Sequence, residues 1–206
     1  NSFISVSVNK YAGGQTFSVE LLDRSSPVFF DELLRQMEFA YAKATNAFVI
    51  GEIANNGTLN ATATTEDKDG LLTFVSTAAA AVYKASLGFA RNLVVSPEQW
   101  GKIMSYNDAG RPIYTASQPQ NAGGALRPDS LRGNVAGLDL YADFAAPGGS
   151  DDGSMIVVNP SAYTWYEGNN YQLRAESTAD GSITVGVYSF GACATKIAAG
   201  AFRNNI

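Results

Sequence analysis

With nineteen acidic and fourteen basic side chains, one cysteine and no histidine, this chain offers few groups for catalysis. The absence of histidine removes Ser-His-Asp and Cys-His nucleophiles and every histidine-bearing metal site. Cys193 lies in the apolar run GACATKIAAG, where it reads as a buried small hydrophobe. A lone cysteine also excludes an intramolecular disulfide and a cysteine cluster for zinc. Asp151 and Asp152, with Asp143 nearby, offer oxygen ligands of the kind calcium takes, but without EF-hand spacing they read as a solvated turn. The run from Glu66 to Asp69 reads as solvated charge. The Gly-Gly pairs at Gly13, Gly123 and Gly148 lack the context of a nucleotide-binding loop. Tyr163, Trp165, Tyr166 and Tyr171 present faces on which a sugar can stack, although their spacing suits a core or an interface better. No carboxylate pair is marked out for glycoside chemistry. The expectation is a non-enzyme with no metal and no cofactor.

Composition points the same way. The chain has 206 residues, 46% of them hydrophobic and 16% charged, enough for one core divided into two lobes. A net charge of -5 argues against a nucleic-acid reader, and the sparse basic stretches Arg127 to Arg132 and Lys196 to Arg203 read as solvated surface. No signal peptide and no apolar stretch of membrane-spanning length is visible, so no membrane partner is expected. The nearest candidate, Ile183 to Phe202, is broken by Lys196 and begins with the period-two alternation of a strand. Because the sequence opens on Asn1, it is expected to be a processed or truncated piece of something longer.

The elements that must position these residues are dominated by one long amphipathic helix, expected from about Pro27 to Glu52. Ser25 and Ser26 suit its cap, Pro27 its first turn, and Asp31 and Glu32 its positive end. Phe30, Leu33, Leu34, Met37, Tyr41, Ala44 and Phe48 recur at helical steps. Before it, Phe3 to Val8 and Gln15 to Leu22 alternate as strands, with Tyr11-Ala-Gly-Gly read as the turn of a hairpin arm. After it, Gly51 to Asp69 reads as a linker containing two Asn-x-Thr sequences, at Asn56 and Asn60. A second, alanine-rich helix is expected from Leu71 to Phe89. Then come a short strand at Asn92 to Ser96, a capping box at Ser96-Pro-Glu-Gln99 launching a short helix, and a long loop from Tyr114 to Asn134. Asn134 to Phe144 reads as one strand with Val135, Leu138 and Leu140 on its inner face. Met155 to Asn159 is another strand, and Asn159-Pro160 introduces a short helix from Ser161 to Tyr166. A final hairpin follows: Tyr171 to Thr178, a turn at Ala179-Asp180-Gly181, Ile183 to Tyr188, then a last strand to about Phe202. The fold class is α+β.

Four passages in this order resemble tailed-bacteriophage major capsid proteins of the Hong Kong 97-type fold. Val19 to Glu52, within SVELLDRSSPVFFDELLRQMEFAYAKATNAFVIGE, is similar to the passage into that family's spine helix. Asn92 to Tyr114 (NLVVSPEQWGKIMSYNDAGRPIY) is similar to its strand, capped Trp-bearing helix and D-x-x-G-R-P turn. Val135 to Asp143 resembles its GLPV strand, and Ser182 to Ile197 (SITVGVYSFGACATKI) its late strand.

The resemblance implies a peripheral lobe (residues 1–57 and 169–190) carrying the spine helix, a β hairpin and part of an extended loop. It implies a mixed α/β axial lobe (residues 58–168 and 191–206), and an N-terminal arm absent from this sequence. It further implies self-association as pentamers and hexamers into an icosahedral shell around double-stranded DNA, packaged non-specifically, in the virion of a tailed phage or prophage assembled in the host cytoplasm. Portal, scaffolding and maturation-protease components would be its other partners. Lys10 and Tyr11 on the arm, and Asp180 and Gly181 at the hairpin turn, are expected to contact neighbouring subunits. Some members join subunits by a lysine-asparagine isopeptide bond assisted by a glutamate. Lys10 lies in the matching arm, and Glu176 and Asn169 or Asn170 lie in the hairpin's neighbourhood. Two other readings are an encapsulin-type compartment shell and a secreted carbohydrate-binding module using the Tyr163 to Tyr171 aromatics.

Overall fold

The computed structural model describes residues 3–24, 28–108, 111–116, 132–146, 154–177 and 181–205. In chain order they form β1 (Asn9–Ser18), α1 (Val19–Arg24), α2 (Val28–Asn56), β2 (Thr58–Leu59), α3 (Lys68–Ser86), β3 (Asn92–Val95) and α4 (Pro97–Ser105). There follow β4 (Asn107–Asp108), β5 (Arg111–Pro112), β6 (Tyr114–Ala116), β7 (Arg132–Val135), β8 (Leu138–Ala142) and β9 (Met155–Val158). After a 3-10 turn at Pro160–Ala162, β10 (Tyr163–Glu167), β11 (Tyr171–Ser177), β12 (Ser182–Thr195) and β13 (Ala201–Arg203) complete the chain, with a second 3-10 turn at Ala198–Gly200 before β13. This is the expected α+β class. Two compact units divide the chain: Asn1–Val49 with Trp165–Ala194, and Ile50–Thr164 with Thr195–Ile206.

The first unit is built on a sheet in which β12 is central, with β1 antiparallel on one side and β10 and β11 on the other. The hairpin arm expected at the N-terminus is absent. All ten residues of β1, Gly13 and Gly14 included, run in register with β12 from Asn9↔Gly191 to Ser18↔Ser182. The partner that keeps the glycine pair extended comes from far along the chain, so the local turn signal loses to a long ladder. Phe3 to Val8 carries no regular structure, and the end of the expected second strand is instead α1, where the Ser18 hydroxyl accepts from the Leu21 N–H at 3.3 Å. Phe17, Ile183 and Val185 form the buried cluster, with Leu33 and Leu34 of α2 packed on it.

The second unit is a seven-stranded mixed sheet ordered β2-β13-β9-β3-β8-β7-β6. Its central strands NLVV and MIVV are apolar without alternation because both faces are covered, as a sheet buried on two sides requires. Leu93, Val95, Leu140, Met155 and Val157 pack with Leu71, Phe74, Ala78 and Val82 of α3 on one face. Val94, Ile156, Val158 and Ala201 pack with Ile50 and Ala54, from the last turns of α2, on the other. That second cluster explains why α2 ends four residues beyond the expected Glu52. The polar composition of the segment read as a linker conceals Ala54, one helical turn beyond Ile50, with Ile53 packed beside it.

Helix α3 starts where Asp67 accepts from the Gly70 N–H at 2.7 Å, and α4 where Ser96 accepts from the Gln99 N–H at 3.1 Å. Two further expectations are corrected. The strand read over Asn134 to Phe144 is a hairpin, β7 and β8, turning at Ala136 (φ 50°) and Gly137 (φ 84°). Its expected inner residues Val135, Leu138 and Leu140 are all buried. The helix read at Ser161 to Tyr166 is only a 3-10 turn, capped by Asn159, before β10 begins. Ser25 to Pro27, most of the long loop after Tyr114, Asp151, Asp152 and the turn residues Ala179 and Asp180 lie outside the described residues.

Candidate assembly surface

The sheet of the first unit has two chemically different faces, set by strand alternation. Tyr11, Gly13, Gln15 and Phe17 share one face with Ser189, Val187, Val185 and Ile183 opposite them. Lys10, Ala12 and Thr16 share the other with Phe190, Tyr188 and Thr184.

The first of these faces is closed by aromatic packing. The Tyr11 ring meets Tyr41 at 5.9 Å, Phe48 at 6.2 Å and Trp165 at 6.4 Å between centroids, all edge-on. Trp165 lies over Gly191, where any Cβ would occupy the space of the indole. The Tyr41 hydroxyl donates to a Glu167 carboxylate oxygen at 2.6 Å. Burial first, and that bond second, push the Tyr41 phenol above its ordinary range. Gly13, Ala40 and Ala44 are small enough to leave a cleft of about 340 Å³ between β1 and α2, bounded also by Lys10, Met37, Tyr41 and Val187.

The opposite face is exposed and has a different character. Tyr188 stacks on Tyr171 at 5.0 Å and meets Phe190 edge-on at 6.0 Å, while the Lys10 ammonium sits 4.9 Å from the Tyr188 ring centre. Tyr171 is 45% exposed and Phe190 40%. A cation over an exposed ring contributes about 0.5–1 kcal/mol, and more if a neighbour removes water from it. Beyond β1, Phe3, Ile4 and Val8 are also exposed. Among the described residues, this surface is apolar with the Lys10 ammonium as its cation. Its arrangement suits contact with another macromolecule.

Of the residues singled out from sequence, Lys10 lies on this outer face and Tyr11 on the inner one. Gly181 has φ 62°, and its carbonyl accepts the Val19 N–H at 2.8 Å. Asn169 is exposed between β10 and β11, beside Gly168, whose N–H donates to the Phe190 carbonyl at 2.7 Å. Glu176 is in β11, opposite Ile183 in register. Asp180 lies outside the described residues. The sugar-stacking group does not form one platform: Trp165 packs against Tyr11 and Phe48, while Tyr171 stacks on Tyr188. Sequence reading missed Tyr188 and Phe190 as surface residues. Their alternation in β12 was visible, but which phase faces outward depends on the side that α2 covers.

The sequence model of a family described as phage capsid protein matches residues 3–204. The chain belongs to the phage capsid protein family. The role of this capsid protein is therefore structural, as a component of a capsid shell. Its fold is the Hong Kong 97-type. A chain from Mycobacterium phage Che8 superimposes with a TM-score of 0.75 at 16% identity, covering 96% of this capsid protein and 70% of the other. The capsid of a native GTA particle gives 0.73 at 16%, covering 97% and 73%. A virus-like particle from Pyrococcus furiosus gives 0.66 at 13%, covering 96% and 77%. No curated protein matches it by sequence. Among the described residues, no helix is long and apolar enough to cross a membrane.

Proposed function

We propose that copies of this capsid protein associate as pentamers and hexamers into a closed icosahedral shell around double-stranded DNA, in the virion of a tailed phage or prophage. The observation that carries this reading is the exposed Lys10, Tyr171, Tyr188 and Phe190 face in a member of a capsid family. An apolar patch with a cation at its edge is costly to leave in water and becomes favourable when a neighbour covers it. The first unit serves as the peripheral lobe with α2 as its spine, and the second as the axial lobe. Lys10, Tyr11, Asp180 and Gly181 lie at or near contacts between subunits. The net charge of -5 suits a wall that encloses DNA without gripping its backbone. Portal, scaffolding and maturation-protease components are its partners during assembly in the host cytoplasm, and no catalytic role is assigned to the chain.

Electron microscopy of the expressed protein tests this reading. Closed particles of uniform size are expected, and only small monodisperse species under many conditions would count against it. Phe190→Asp with Tyr171→Ser changes exposed side chains, so the variant should keep its circular dichroism and lose its particles. If particles persist, that face is not a subunit contact. Denaturing electrophoresis of the same particles tests an isopeptide role for Lys10 with Asn169 and Glu176. A ladder that disappears in Lys10→Ala supports it, and monomer bands throughout remove it.

A further inference from the structure

Asn56-Gly57 is the single Asn-Gly step in the sequence, and it falls at the end of α2. Asn-Gly is the dipeptide most prone to spontaneous deamidation, because glycine leaves its own nitrogen unshielded. The Gly57 nitrogen bonds to Cγ of Asn56 as the Cγ–Nδ2 bond breaks. Nδ2 leaves as ammonia, carrying the proton lost by the attacking nitrogen, and a succinimide remains. Water then opens the ring at either carbonyl, giving aspartate or isoaspartate.

The fold blocks each movement this reaction needs. The Gly57 N–H donates to the Ile53 carbonyl at 2.9 Å, continuing the helical ladder, so the attacking nitrogen is held within the helix. The Asn56 amide is turned back along the helix, its Nδ2 donating at 2.9 Å to both the Glu52 carbonyl and the Glu52 carboxylate. The residue after Asn56 is also fixed as glycine by packing. A Cβ at Gly57 would lie 2.9 Å from the Ile53 carbonyl oxygen and 3.1 Å from the Ala201 Cβ. The labile pair therefore cannot be removed by changing Gly57 without displacing β13, which holds Ala201 beside it. Asn56 is itself exposed, so water for ring opening is at hand once the helix end frays.

We infer that Asn56 is a deamidation site held closed by the last turn of α2, with Glu52 as the side-chain latch. Isoaspartate at residue 56 therefore accumulates with the time a chain spends unfolded or with this helix end open. The product would add a negative charge next to Glu52 at the negative end of the helix and lengthen the backbone by one atom. Both changes oppose re-closure, so opening becomes self-reinforcing.

The test is peptide mapping by mass spectrometry, with isoaspartyl methyltransferase labelling, of the full chain incubated in neutral buffer with and without urea. Conversion at Asn56 should be at least about tenfold slower in the native protein, because opening must precede attack. Glu52→Ala, checked for native circular dichroism, should raise the native rate several-fold without changing the rate in urea. Glu52→Gln, which keeps an acceptor, should lie between. Equal rates in native and unfolded chains would overturn the inference, as would absence of conversion in urea. A native Glu52→Ala rate equal to wild type would overturn the latch. If Glu52→Ala does not fold, hydrogen exchange of the Gly57 amide in wild type and Glu52→Gln decides: similar fast exchange in both sinks the proposal.

Discussion

Replacing Gly191 by alanine isolates one contact in the first unit. Gly191 is not among the positive-φ glycines, so the backbone accepts a side chain without strain. The nearest obstacle is the Trp165 indole, whose ring carbons occupy the space of the new Cβ. Carbon atoms settle about 3.5–4.0 Å apart, so the indole must withdraw by something on the order of an ångström. Withdrawal loosens its contacts with Tyr11 (6.4 Å) and Phe48 (6.3 Å), which together close the inner face of the sheet. Overpacking of this kind costs about 1–3 kcal/mol. With a urea slope near 2 kcal/mol/M, a 2 kcal/mol loss moves the unfolding midpoint down by about 1 M at unchanged slope. Tryptophan emission should shift to the red as the indole meets water. The decisive control is the same change in a Trp165→Phe background, where the smaller ring leaves room and the cost should shrink. An unchanged midpoint for Gly191→Ala, or the same loss in both backgrounds, would refute this account of the packing.

The other predictions concern single sites. Leu140→Ala empties a fully buried position of the second unit and should cost about 2–5 kcal/mol in chemical denaturation. Leu87 ends α3 at φ 52° while 81% exposed, so Leu87→Gly should stabilise by about 1 kcal/mol, seen as a higher melting temperature. The Asp67 carboxyl is held below its ordinary range, chiefly by the Gly70 N–H and then by Thr65. Its contribution is therefore complete above the unfolded carboxylate pKa and lost as pH falls through the lowered value, so Asp67→Ala should flatten the acid limb of stability against pH. The Tyr41 phenol is raised, so its contribution is complete below the unfolded pKa of about 10 and lost as pH rises beyond it. Tyr41→Phe should lose less stability than wild type in alkaline titration.

How far sequence reading reached depended on where the deciding partner lay. The cap at Ser96, the apolar spacing of α2 and the inner residues Val135, Leu138 and Leu140 are local signals, and each appears in the structure. Asp67 itself passed for solvated charge because a capping carboxylate and a solvated one look alike without the turn that follows. The Tyr11 to Gly14 turn failed because its rival was a strand some 170 residues away. The single strand read across Asn134 to Phe144 failed because alanine at φ 50° is a conformation that sequence alone does not suggest.

By itself, the sequence determined what this protein lacks and what class it belongs to. An inventory without histidine and with one cysteine excludes histidine-dependent nucleophiles and cysteine or histidine metal clusters, and periodicity fixes helices and strands wherever neighbours in the chain supply the period. Tertiary structure alone decided which face of β12 turns to solvent, so that Lys10, Tyr188, Tyr171 and Phe190 form one exposed surface while Tyr11 and Trp165 close the other. A strand's alternation defines two faces equally well, and only the side that a helix covers becomes the inside.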